Sequence, residues 1–351
     1  MDGVRLALES RLVRLWEGGP RTDPALALSL APLAALYRVG VGVRGWSFDW
    51  GIRPVQSGGV PVLSVGNLAV GGTGKTPVTR WLVGNLKALQ FRPGIVTRGY
   101  GEDEVLLHRR WNPDVPVIAS PDRIRATREA ARLGRDVVVL DDGFQHRRIH
   151  RDVDLVLLSP GHPYPIRVLP LGPYREPLRG LRRASHLLWV CKGARERALA
   201  DQWIDRLRRV PDLPEGGRID LVPAGWQDLE GGPASRPEGP VMILSSVARP
   251  ASVRALVEEA GVEVVDEMVF PDHHPYRREE GVRISSRAQG RWVVTTEKDA
   301  VKLCRMKEFL PPVRVLALQV DGPPGGTGSD ASRVDPRLAG LFRGLRSPGS
   351  M

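Results

Sequence analysis

SVGNLAVGGTGKTPVTRWL, from Ser64 to Leu82, decides the fold. It has the outline of a phosphate-binding loop, yet the strict pattern G-x-x-x-x-G-K-[ST] fails at its first position, because counting back from Gly74 lands on Ala69. In such a loop the backbone N–H groups of a tight turn face the phosphates and the following helix adds its dipole. A lysine then reaches the terminal phosphates, and a hydroxyl binds Mg²⁺. Gly71, Gly72, Thr73 and Gly74 form the turn, Lys75 is the reaching cation and Thr76 the metal hydroxyl. Pro77 stands at the helix start, where its missing N–H costs nothing. Gly71 and Gly72 still supply the positive dihedrals, so Ala69 breaks the motif without breaking the physics.

Outward from the loop, short apolar runs alternate with amphipathic stretches, the pattern of an α/β fold with a mainly parallel sheet. VPVLSVGN, FRPGIVTRGYG, DVVVLDD, DVDLVLLS and ASHLLWVCK read as strands; TPVTRWLVGNLKALQ and DRIRATREAARLG read as helices. A break rich in Gly, Pro and Glu covers 213–240, and the alternation then resumes as a second, smaller α/β unit. The reading divides the chain into a basic and apolar segment at 1–54, a phosphate-loop domain at 55–225, a smaller domain at 226–322 and a flexible tail at 323–351.

The chain has 351 residues, 42% of them hydrophobic, enough for two domains and a sizeable core. Net charge is +11 and the pI about 10.3, largely through arginine, which favours an anionic partner. Cys191 and Cys304 are the only cysteines, too few for a disulfide framework or a zinc cluster. No apolar run reaches the roughly 20 residues that span a bilayer. The nearest, Ala25 to Tyr37, is broken by Pro32 and flanked by arginines, and reads either as an interfacial helix on an anionic leaflet or as a docking helix.

The strand VVVLDD delivers Asp141 and Asp142 to the carboxyl edge of the sheet beside the loop, where Mg²⁺ would be held, and Gln145 and His146 follow. Three further dense stretches fall in expected loops. GEDEVLL carries Asp103 and Glu104, LPLGPYREPLRGLRRA carries Arg175 and Glu176, and FPDHHPYRREE carries Asp272, His273 and His274. A hydroxyl attacking a γ-phosphate needs a carboxylate or imidazole within reach, and Asp103 with His273 can be such a base and its orienting partner across a cleft. Taken alone, Asp-His-His is equally a metal site or a capping Asp with solvated histidines.

In this order SVGNLAVGGTGKTP, TRGYG, GEDE, DDGFQH, LPLGPYREPLRGL, FPDHHPY and TTEKDAVKL resemble the tetraacyldisaccharide 4′-kinases, from about residue 25 to about 320. Those kinases phosphorylate the 4′-hydroxyl of an acylated glucosamine disaccharide 1-phosphate with ATP and Mg²⁺ in lipid A biosynthesis. The resemblance implies an ATP phosphate site at Gly71 to Thr76, with metal held by Thr76, Asp141 and Asp142 and with His146 nearby. It also implies Asp103 as base with His273 paired to it, Lys75 stabilising charge, and Arg175 and Glu176 lining the site. It places the chain on the cytoplasmic face of the bacterial inner membrane through its N-terminal helix, with a lipid acceptor. No aromatic-interleaved basic patch points to nucleic acid, and no obligate protein partner is expected. Two departures are visible: the run between TRGYG and GEDE is short, and SVARPASV, Ser246 to Val253, replaces the family's usual G-I-G-x-P. The alternative is an ATPase switch of the partitioning or metal-insertion type, whose members carry a lysine before the double glycine where this chain has Val70.

Overall fold

In the computed structural model, residues 11–99, 101–163 and 165–321 are described, with Phe342 and Leu345 beyond them. Eight helices and twelve strands are named here in chain order. They run α1 (Pro24–Asp49), β1 (Val62–Asn67), α2 (Lys75–Ala88), β2 (Pro93–Thr97), α3 (Glu102–Trp111), β3 (Val117–Ala119), α4 (Arg123–Arg132), β4 (Val137–Asp141), β5 (Val153–Leu158) and β6 (His186–Lys192). There follow α5 (Gly193–Arg208), β7 (Gly216–Gln227), β8 (Pro233–Ala234), β9 (Val241–Ser245), α6 (Pro250–Glu259), β10 (Val264–Val269), α7 (Arg278–Ala288), β11 (Val293–Thr296), α8 (Glu297–Leu303) and β12 (Val313–Asp321).

All strands join one sheet in the order β10-β9-β11-β12-β7-β6-β5-β1-β4-β2-β3, with β8 added to β7. Pairing is parallel except where β7 meets β12 and β8. The two α/β units therefore share a sheet, and the stretch read as a break at 213–240 contains the long strand β7 that joins them. Its alternating burial hid it among glycines and prolines, since only every second residue faces the core. The central strands read as unbroken apolar runs because both faces are covered. On β4, Val137 and Val139 pack with Leu82 and Leu86 of α2, whereas Val138 and Leu140 pack with Ile124 and Ala130 of α4. The expected tail at 323–351 lies outside the described residues apart from Phe342 and Leu345, which are buried in the α2-side core.

Two expectations change. Helix α1 runs through Pro32 rather than ending there, capped by Pro24 at its first position and by the Asp23 carboxylate on Leu26 N–H. At 26 residues it is about 39 Å long, more than the ~30 Å of a hydrocarbon core. Mean hydropathy reaches 1.7 in a window only 11% buried, so the helix is long and apolar enough to cross a membrane. GEDEVLL, read as a loop, forms the first turns of α3, where Glu102, Asp103 and Glu104 complement the helix dipole.

Candidate active site

The phosphate loop leaves β1 and closes into α2. Gly71 and Gly74 adopt φ of +98° and +86°, and a Cβ on Gly74 would lie 2.9 Å from Leu221 Cδ1. Thr73 is buried, its hydroxyl accepting from Asn67 Nδ2 at 2.8 Å. Ala69 serves packing instead. It is 3% exposed, bridges Tyr174 in extended backbone and packs with Phe144 and Leu181, so a side chain, not a glycine, suits the position.

A cleft of about 430 Å³ opens over this loop, lined from the first half by Lys75, Thr76, Glu104, Asp142, Arg175 and Lys192, among others. The second half contributes Arg249, Asp272, His273, Glu297 and Lys298. Of the sequence-derived residues, the cleft thus gathers Gly71 to Thr76, Asp142, Arg175 and His273 on its surface. Asp142, at φ +58°, lies 3.1 Å from Arg175 Nη1 and 3.6 Å from Lys75 Nζ. Burial alone would raise its carboxyl, but those two cations outweigh it and hold the group low.

Asp103 is 2% exposed and stands behind His273 rather than on the cleft wall. Its oxygens lie 3.0 and 3.1 Å from His273 Nδ1, and Oδ1 also accepts from Glu104 N–H at 2.9 Å. Burial pushes this carboxyl up, whereas the His273 bond, Lys298 and Lys302 pull it down and prevail. In return the Asp103 bond, against burial, raises the His273 imidazole above its ordinary value. His273 Nε2 lies 3.3 Å from Lys298 Nζ at the cleft. His273 itself is held at φ +61°, with its N–H given to Ser246 O.

Besides Asp103, three expected residues stand off the cleft. Asp141 is buried with Oδ2 2.8 Å from His108 Nε2, and His108 is wholly buried on α3. His146 sits among Arg123, Arg151, Arg148 and Arg44; burial first, then these charges, push it down to about 4. Glu176 is buried against Arg183 Nη2 at 2.8 Å. Neither lines the cleft.

Reading the sequence missed His108, whose partner is 33 residues distant. It also missed Lys192, whose Nζ donates to Gly72 O at 2.6 Å, and which burial pushes down to about 8. The available signal was a lysine at the carboxyl end of a strand. Lys298 and Lys302 lay inside the quoted TTEKDAVKL without being singled out. Another unread contact joins the halves: Glu297 accepts from Trp111 Nε1 at 2.8 Å and Leu318 N–H at 3.0 Å, with Arg80 at 3.5 Å.

Comparison with known proteins bears on this geometry. A family model described as Tetraacyldisaccharide-1-P 4'-kinase matches residues 26–105 and 101–324. A tetraacyldisaccharide 4'-kinase of Anaeromyxobacter sp. (strain Fw109-5) is 36% identical over 346 residues, covering 88% of this chain and 91% of the relative. The chain belongs to the tetraacyldisaccharide 4′-kinase family. A member from Syntrophus aciditrophicus is 33% identical, covering 89% of this chain and 94% of its own length. The crystal structure of LpxK from Aquifex aeolicus in complex with ATP is 26% identical with a TM-score of 0.68, covering 92% of this chain and 100% of that one.

For a kinase of this family the site has to take ATP and Mg²⁺, and the residues present fit both. Lys75, Lys192, Arg249 and Lys298 converge on one cleft, a charge that a triphosphate neutralises. Asp141 Oδ1 is buried without a partner, and burial, with the Asp141 charge second, pushes Glu104 up to about 7. Such carboxyls have room for a cation, and Thr76, Asp142 and Glu104 offer the hard oxygen donors Mg²⁺ prefers. Among the described residues no group of three or more His, Cys, Asp or Glu is placed to hold a metal.

Proposed function

We propose that this chain transfers the γ-phosphate of ATP to the 4′-hydroxyl of a tetraacyl glucosamine disaccharide 1-phosphate, a step of lipid A biosynthesis, and that His273 is the base. The observation that carries the proposal is the Asp103–His273 pair facing a phosphate loop across one cleft. A nucleotide switch has no use for a base aimed at its phosphates.

The roles follow from exposure. Asp103 is shut off and fully engaged, so it orients the ring and holds Nδ1 protonated; His273 reaches the cleft and takes the proton of the 4′-hydroxyl at Nε2. This exchanges the roles first assigned to the pair. Lys75 and Lys192, with the loop N–H groups, hold the phosphates, and Lys75 together with Arg175 keeps Asp142 ionised. Thr76, Asp142 and Glu104 would hold Mg²⁺, which neutralises charge on the phosphate oxygens when bound.

The acceptor arrives from a membrane surface. Leu36, Val39, Val43, Trp46 and Trp50, all more than half exposed, form an apolar stripe at helical spacing along α1. Elsewhere along α1, Tyr37 OH donates to Arg175 O, Arg44 to Gln145 O, and Arg147 pairs with Asp49. A helix held to the body from Tyr37 to Asp49 lies in the leaflet interface rather than across the bilayer. Its arginines fit an anionic cytoplasmic leaflet. Incubation with γ-labelled ATP, Mg²⁺ and the acylated disaccharide in detergent tests the reading: label enters the lipid. Consumption of ATP with an unlabelled lipid refutes it.

A further inference from the structure

Lys302 is 9% exposed on α8 and lies behind the Asp103–His273 pair, away from the cleft. Its Nζ donates to Ser246 Oγ at 2.5 Å and lies 3.0 Å from Asp299 Oδ1 and 3.6 Å from Asp103 Oδ2. Asp299 in turn accepts from Ser246 N–H and Oγ–H, Thr296 Oγ–H and Tyr276 OH. Ser246 O accepts the His273 N–H, and Phe270 N–H binds Ser245 O. The contacts close a ring: Lys302 to Asp103, Asp103 to the His273 imidazole, the His273 backbone to Ser246, and Ser246 back to Lys302.

We infer that Lys302 is a positioning residue for phosphoryl transfer, one ammonium group that fixes both the carboxylate orienting the His273 ring and the loop carrying its backbone. A buried ammonium is costly unless its partners are in place. Here three oxygens from three elements converge on it, and each also belongs to the support of His273. The same arrangement gives a definite role to Ser246, the first residue of the stretch Ser246 to Val253 in which the chain departs from its family's usual sequence. Ser246 offers three groups to the ring, its hydroxyl, its N–H and its carbonyl.

This inference rests on His273 being the base, and charge distinguishes it from mere structural support. The groups facing the imidazole are Asp103 and Glu104 from α3, Lys298 and Lys302 from α8, and Asp272 from its own loop. Removing the Lys302 charge leaves the Asp103 carboxylate less compensated, so the imidazolium is favoured. The acid limb of kcat/KM for the acceptor then moves to higher pH. Removing the Asp103 charge does the opposite.

Lys302→Met should lower kcat about tenfold to a hundredfold, the loss expected for a misplaced catalytic group. KM for ATP should stay within about twofold, as for a change that spares the phosphate contacts. Its acid limb shifts up in pH, and Lys302→Arg, which keeps the charge, restores the limb. Should the methionine variant not fold, Lys302→Gln keeps a donor for Ser246 and Asp299, drops the charge and carries the same prediction. Wild-type kcat with an unmoved limb in either charge-free variant overturns the inference, as does a limb moved to lower pH. His273→Ala separates the two levels. If it keeps full turnover the base assignment itself fails, whereas if it is inactive while the Lys302 variants match wild type, only the role of Lys302 is lost.

Discussion

Gly101→Ala adds one methyl group, and the structure says where it goes. A Cβ at residue 101 would lie 2.6 Å from His273 Nδ1 and 2.7 Å from Asp103 Oδ1, the two ends of the hydrogen bond on which the proposed base depends. Comfortable contact begins near 3.4 Å, so each atom has to retreat by about 0.7–0.8 Å. The bond now measures 3.0 Å; moving both ends outward takes it beyond the ~3.5 Å at which such a contact still counts as one. The backbone opposes the change as well, because φ at Gly101 is +90°, a region that costs a side-chain-bearing residue about 1–3 kcal/mol. A displacement of about 1 Å at a catalytic group costs roughly a hundredfold, and complete loss of general base catalysis 10²–10⁴-fold. We therefore expect turnover to fall by about 10²–10³-fold, within that range. ATP affinity should be retained, since the atoms the added methyl meets belong to His273 and Asp103 and none to the phosphate loop. Label transfer to lipid in detergent micelles measures the first quantity and nucleotide titration the second. Wild-type turnover in a folded Gly101→Ala protein would refute the placement of the Asp103–His273 bond at the centre of the chemistry.

Other perturbations test separate parts. Asp103→Asn removes the first cause of the raised His273 value; because the base works unprotonated, the acid limb of activity should move to lower pH while kcat drops, and an unmoved limb counts against the pairing. Lys75→Ala should weaken ATP binding and turnover together, and loss of turnover alone would remove it from the ground-state phosphate site. Glu297→Ala leaves the Trp111 and Leu318 donors without an acceptor at a buried site, about 1–3 kcal/mol for each, read as a lowered thermal midpoint; an unchanged midpoint excludes that contact as a brace between the halves. His162, pushed down to about 3 chiefly by burial, lets the unfolded chain take up a proton below pH 6.5 that the folded chain refuses. Stability should accordingly fall by roughly 2 kcal/mol from this residue between pH 6.5 and 5, and His162→Asn should flatten that slope in denaturant melts.

The phosphate loop was legible because its chemistry is local: glycines, lysine and threonine act within six consecutive residues between a strand and a helix. Asp142 and Arg175 were legible as residues at strand ends and in polar loops. The orientation of Asp103 was not, since GEDE is compatible with a loop or a helix start, and only the helix turns its carboxylate inward to His273 while Glu104 keeps the cleft. His108 and Lys302 carry no sequence signal of their own, for each acquires meaning from a partner brought in by sheet order. Pro32 misled for another reason: one lost ladder bond ends a marginal helix, but α1 continues past it into a stretch held to the body from Tyr37 to Asp49.

The shared sheet has a consequence for anyone who would take the protein apart. β7 pairs in parallel with β6 through six residue positions and antiparallel with β12 through seven, so it belongs equally to both halves. A fragment ending before β7 exposes the open edge of β6, and one starting after it exposes β12, each a long row of unpaired backbone groups inviting strand exchange. The two halves are thus inseparable as material even though they divide the chemistry between them. Inhibitors or cross-links that act on either half act on a single cooperative object, and its melting should appear as one transition.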